Sequence, residues 1–168
     1  MMETIRSWFE WLDTFPSSIA FRESFYVYPA FLTIHVISVC LFAGLVMMMD
    51  LRLLGIGNTG SSITHVQKKL FPWQMVLMAL SMSSGLMLFY GQPMRFYPNV
   101  FFWVKMVMIA LTGVNAIAFH RLTYQSVDDW DSGVVPPAGS RLSGALSIIL
   151  WSAVIIAGRL IAYDWFKS

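Results

Sequence analysis

Six residues of this chain have the most to offer chemically: His35, His65, His120, Asp50, Lys105 and Arg159, each in or at the edge of a long apolar run. An ionisable side chain within a membrane-length segment marks a functional site by default. Three charged or titratable residues, His35, Asp50 and Arg52, fall in one such stretch, YVYPAFLTIHVISVCLFAGLVMMMDLRLLGIG, residues 26–57. His35 and Asp50 are about four helical turns apart and project from one face of a helix. Lys105 and His120 repeat the same spacing. Two helices that each present an upper and a lower polar group belong side by side around a shared interior.

Depth within the membrane sorts these residues into two layers. With span midpoints near residues 41, 80, 110 and 153, a rise of about 1.5 Å per residue puts His35, Gly85, Lys105 and Arg159 roughly 8 to 9 Å toward the side that carries the termini. That layer holds two cations and an imidazole without a carboxylate, and so calls for an anion. Haem b meets the requirement: neutral imidazole is a common axial ligand, and Lys105 and Arg159 would pair with the two propionates. Gly85 and the serines around it would leave room for the macrocycle. His35 and His120 lie about 24 Å apart in depth and cannot serve opposite faces of one iron. Met82 and Met87 are near His35 in depth, but the sequence assigns no sixth ligand. The structural alternative is that His35 only hydrogen-bonds across the bundle.

The second layer, roughly 14 to 15 Å toward the other side, contains Asp50 and His120, with Trp73 slightly shallower. Asp50, Arg52, His120 and Arg121 are expected to form a structural polar cluster there, because an aspartate at that depth needs partners. His65 and His120 offer an alternative, a metal or haem held between the second and third spans. Met47, Met48 and Met49 with His35 could supply soft ligands for Cu(I). Three successive helical residues point in different directions, which counts against that set.

The elements that must position these groups follow from composition. Of 168 residues, 57% are hydrophobic and only 12% charged, too few charges to solvate a globular surface, so the chain reads as a single all-α membrane domain. A net charge of +2 without a basic run gives no support to nucleic-acid binding. The single Cys40 excludes a disulfide framework and reads as a small buried hydrophobe. The N-terminus carries Glu3, Glu10 and Asp13 and does not read as a signal peptide.

The expected fold is an integral membrane four-helix bundle with an N-terminal interfacial amphipathic helix. Residues 3–13 place Ile5, Trp8, Phe9 and Leu12 on one face of that helix, at the depth that suits tryptophan. A turn at 14–18 follows, with Ser17 or Ser18 capping a short helix. The spans are expected at about 26–55, 70–90, 100–121 and 143–163, each long enough for a bilayer. Ser61 or Ser62 caps the second helix, which Pro72 should kink. Residues 124–140 read as a loop, with Asp128, Asp129 and Asp131 a solvated face. Five cations on one side (Arg52, Lys68, Lys69, Arg121, Arg141) against four on the other (Arg6, Arg22, Arg95, Lys167) favour termini on the periplasmic side of a bacterial inner membrane.

The stretches IHVISVCLFAGLVMMMDLRLLG, LFPW, SSGLMLF, FFWVKMVMIALTGVNAIAFH and LWSAVIIAGRLIAY resemble those of a family of short, uncharacterised bacterial four-helix membrane proteins, over about residues 21–163. More distantly, the first-span pattern H-x6-FAG-x7-RL and the VK of the third span are similar to the copper-resistance D proteins and the four-helix membrane protoporphyrinogen oxidases. The latter are haem b proteins that require a first-span histidine and a third-span lysine. The resemblance implies equivalent roles for His35 and Lys105. Asp50 before the arginine, and the ending GRLIAY, depart from the distant relatives.

The function expected is that of a membrane b-type haem protein in electron transfer, or a redox subunit, with a quinol or another redox protein as partner. Trp73 and Trp151 would pack the bundle. The alternative is a haem-free accessory subunit or copper-handling protein; a second copy or a larger membrane complex would then be the partner.

Overall fold

The structure is a computed structural model that describes residues 2–56, 60–131 and 136–163. The side chains of Glu3, Ile5, Asp128 and Asp129, and residue Lys167, lie outside the described residues. Seven α-helices follow in order: α1 (Met2–Asp13), α2 (Pro16–Glu23), α3 (Val27–Leu53), α4 (Ile63–Gly91), α5 (Pro93–Phe96), α6 (Val100–Leu122) and α7 (Ala138–Leu160). A 3₁₀ segment, Tyr124–Asp129, precedes α7, and no strand occurs among the described residues. Helices α3, α4, α6 and α7 are each long and apolar enough to cross a bilayer. Their outer faces leave Ile37, Leu41, Val76, Val107, Val114 and Ile149 exposed. Apolar side chains turned outward along whole helices belong in lipid rather than in water.

Local chemistry sets the helix ends. Ser62 accepts a hydrogen bond from the His65 amide and starts α4 seven residues ahead of the expected apolar run, and the helix continues through Pro72. Asn99 caps α6 by accepting from the amides of Phe101 and Phe102. Helix α7 begins at Ala138, five residues earlier than its hydrophobicity predicts, with Pro137 at its N-cap. Ser17 and Ser18 do not cap α2, whose N-cap is Phe15 followed by Pro16. Their hydroxyls reach α4 instead: Ser17 to the Tyr90 hydroxyl at 2.5 Å and Ser18 to the Tyr90 carbonyl at 2.9 Å.

Asp131 departs from the solvated face expected of it. Its carboxyl accepts from the Thr64 amide at 2.8 Å and from the Thr64 hydroxyl, and its carbonyl accepts from the Ile63 amide. The loop before α7 thus closes the first turn of α4. Removal from water pushes this carboxyl up, but the donors of Thr64 outweigh that and hold it below the usual carboxylate range. Beneath it Met49, Leu53, Ile63, Val66 and Val127 form a small buried core.

At the opposite end, α1 lies against α5. Phe9 packs on Phe89 and Tyr97, and Arg22 pairs with Asp13 at 2.8 Å. Trp8 and Trp11 face outward, 63% and 53% exposed, so the helix divides its aromatic residues between the bundle and the surroundings. Along the bundle α3 packs on both α4 and α7, and α7 packs on α6. Helices α4 and α6 share no comparable seam. A cavity of about 1570 Å³ fills the space between them.

Candidate functional site: a histidine and lysine in an apolar cavity

His35 reaches from α3 into a gap in α4. Its Nδ1 lies 2.9 Å from the Ser81 carbonyl and 3.2 Å from the Ser84 hydroxyl oxygen. A carbonyl only accepts, so Nδ1 carries the hydrogen and Nε2 keeps its lone pair. That lone pair faces Lys105 Nζ at 3.2 Å, which donates to it. Gly85 makes the approach possible: a Cβ there would sit 2.9 Å from His35 Cε1. The space left by Gly85 is therefore taken by the imidazole itself, a different use from the room for a macrocycle expected above.

Lys105 comes from α6 and passes Gly158 of α7, where an added Cβ would lie 3.8 Å from both its Cδ and Nζ. His35, Gly85 and Lys105 are thus brought together from three helices, at the common depth inferred from the helical rise. Arg159 borders the same cavity but is exposed, donating to the Tyr163 hydroxyl at 3.1 Å with its guanidinium 5.3 Å from that ring's centre. It stands at the mouth rather than beside the imidazole.

The expected lower cluster is not assembled. Asp50 is 5% exposed and lies beside the Ser147 hydroxyl of α7, with no partner for its Oδ2 among the described residues. Arg52 is 1% exposed and donates through Nε to the Ser61 carbonyl at 3.0 Å. Two residues along a helix turn about 200° away from each other, which sends Arg52 to the loop and Asp50 to the cavity. Burial also removes Arg52 from the set of loop charges counted for topology. His120 is exposed and stacks on Tyr124, its ring centre 5.4 Å away, and Arg121 is exposed.

His65 is exposed at the start of α4. Among the described residues no three His, Cys, Asp or Glu side chains converge as metal ligands. Met47 is half-buried, Met48 exposed and Met49 part of the small core, three separate surroundings for the three methionines. Cys40 is exposed along the cavity and not buried as expected.

Several site residues escape a reading by residue type. Ser81 and Ser84 look like packing residues, yet they orient His35. Ser147 and the Asn115–Ser143 pair give the lower cavity its polarity, Asn115 Nδ2 donating to the Ser143 carbonyl at 3.0 Å and the Ser143 hydroxyl to Asn115 Oδ1 at 3.2 Å. Depth is only a partial signal: by the helical rise Ser84 falls about 3 Å from the level of His35, but Ser81 about 7 to 8 Å from it and Ser147 about 4 to 5 Å from the level of Asp50.

Four bilayer-length helices around a largely apolar cavity, with one histidine and one lysine meeting inside it, define an α-helical protein of the membrane-bundle type. The chain belongs to the family of unknown function DUF6644, which it matches over residues 8–164. No curated protein and no solved structure matches it.

Proposed function

We propose that the protein is an integral protein of the bacterial inner membrane that binds haem b at His35 and acts in electron transfer. The observation that carries this reading is the orientation of the imidazole, with Nδ1 held by Ser81 and Ser84 and the Nε2 lone pair turned into the cavity. Histidine ligands of metals are commonly fixed in this way, through a hydrogen bond from the other ring nitrogen to a carbonyl. The cavity, about 1570 Å³, exceeds the roughly 300 to 1,000 Å³ of ordinary small-molecule sites.

The residues present fit the group. His35 would hold the iron through Nε2, and Lys105, which donates to Nε2 here, would instead pair with a propionate. Arg159 at the mouth would take the second. Bound haem supplies a site that takes up and returns one electron at a time. The chain's own part is to fix the imidazole, place a cation beside it and keep water from the apolar walls. Expression with haem supplied should give a purified protein with a Soret band and a reduced-minus-oxidised difference spectrum; a protein without a Soret band overturns the proposal. His35→Ala should abolish the band, and a band that survives this change removes His35 as ligand.

A further inference from the structure

At the other end of the same cavity Asp50 is left unexplained by haem at His35. Its carboxyl lies deep in the protein, 5% exposed, and Oδ2 has no hydrogen-bond donor among the described residues. A buried acceptor without a donor has lost its hydration with nothing in return, and the cost is larger when it is charged. Native structures rarely leave such a group alone without a use for it. Arg52, two residues on, donates through Nε to the Ser61 carbonyl, and its Nη1 is likewise buried without a partner among the described residues, yet it makes no hydrogen bond to the carboxyl. Lys68 and His120 border the cavity but are exposed and make no described contact with the carboxyl.

What surrounds Asp50 has the character of a ligand site. Ser147 supplies a hydroxyl beside the carboxyl. One turn further along α7 and two turns back along α3, Trp151 and Phe42 meet edge to face with ring centres 5.0 Å apart, and both line the cavity. Aromatic walls above a carboxyl and a hydroxyl suit a flat ring that carries hydroxyl groups. The way in is apolar. The open side between α4 and α6 is edged by Met78, Met82 and Leu86 on one helix and Met106 on the other, all exposed and all lining the cavity. A ligand entering between these lips must be soluble in lipid.

We propose that Asp50 and Ser147 form a second binding site, which takes the hydroxyl-bearing ring of a membrane-soluble quinol. A quinol hydroxyl donates to Asp50 Oδ2, the ring lies against Trp151, and the apolar tail leaves between α4 and α6. This deepens the electron-transfer reading by naming its lipid-soluble partner, yet the site is separate from His35 and stands or falls independently.

The test is equilibrium binding of a decyl-tailed benzoquinol to the full chain in lipid nanodiscs. Binding should be saturable, and the reduced quinol should bind about tenfold tighter than the corresponding quinone, which lacks the hydroxyl donor. Asp50→Leu should weaken quinol binding by about tenfold or more, and Ser147→Ala by a few-fold. Lys69→Ala, exposed and outside the cavity lining, should leave it within about twofold. Equal binding of quinol and quinone, or no saturable binding, overturns the site; the wild-type comparison decides this even where Asp50→Leu fails to fold. A Soret band without quinol binding removes this site alone, and quinol binding without a Soret band removes the haem alone.

Discussion

The imidazole of His35 is fixed on three sides, by Ser81, by Ser84 and by the bare backbone of Gly85. Gly85→Ala puts a methyl 2.9 Å from Cε1, closer than unbonded carbons rest, so the ring must move or α3 and α4 must part. A loss of about 1 to 3 kcal/mol in stability is expected, as for other overpacked sites, together with a weakened or shifted Soret band. Thermal unfolding in detergent, followed alongside the visible spectrum, would measure both. Lys105→Met keeps an unbranched side chain one atom shorter and removes its charge. It should lower haem occupancy several-fold while leaving helicity unchanged, which haem titration and circular dichroism would report. Full occupancy in this variant would remove Lys105 as a propionate partner. His35 and Lys105 are legible in the sequence because a histidine and a lysine stand out in apolar runs. Ser81, Ser84, Gly85 and Gly158 are hidden in composition that serves plain helix packing equally well.

At the scale of elements, hydrophobic length identifies all four long helices and places the ends of α3 and α6 within two residues, while the polar turns that open α4, after the expected Ser62 cap, and α7 fall outside it. Helix α4 starts at Ile63 because Ser62 and Asp131 satisfy its first amides, and no hydropathy window registers a cap contributed by another loop. Asp131→Ala should destabilise the α4 start by about 1 kcal/mol, read as faster amide exchange over residues 63–66. The pH dependence has a definite sign. The folded carboxyl lies below its unfolded value of about 3.9, so its contribution is complete above about pH 4 and is lost as pH falls through the folded value. Exchange at these amides should therefore be insensitive to pH-driven loosening between pH 5 and 7, after correction for intrinsic rates. Accelerated opening already at pH 6 would contradict this assignment. The small helices at the other end show the same limit: Ser17 and Ser18 are plausible caps by type, but Tyr90 of α4 claims them.

For the whole molecule, the order of packing is α4, α3, α7, α6, and α4 meets α6 not along a seam but where Phe89 stacks on Phe102, ring centres 5.4 Å apart. Sequence reading finds four helices facing a common interior and cannot say which pair lacks an extended seam, because that depends on the seams that each helix makes with two others. The open side predicts that lipid-soluble reagents reach the cavity floor. A photoactivated, membrane-soluble diazirine should label Cys40 and Val39 on α3, both of which line the cavity, and the decyl-tailed quinol should protect them. Peptide mass spectrometry would map the labels. Unlabelled floor residues in nanodiscs would mean that α4 and α6 meet in the bilayer.

The seam between α3 and α7 has a mechanical meaning beyond packing. Among the described residues it is the only extensive join between two hairpin-like halves, α3 with α4 and α6 with α7, and at Gly144 it brings the helices together so closely that a Cβ would lie 3.0 Å from the Asp50 carbonyl. The halves are related like the covers of a book, with Gly144 on the spine. A few degrees of rotation about that spine would widen or narrow the cavity along its whole length. His35 and Lys105 sit on opposite covers, so a rotation that widened the cavity would have to stretch the hydrogen bond between them.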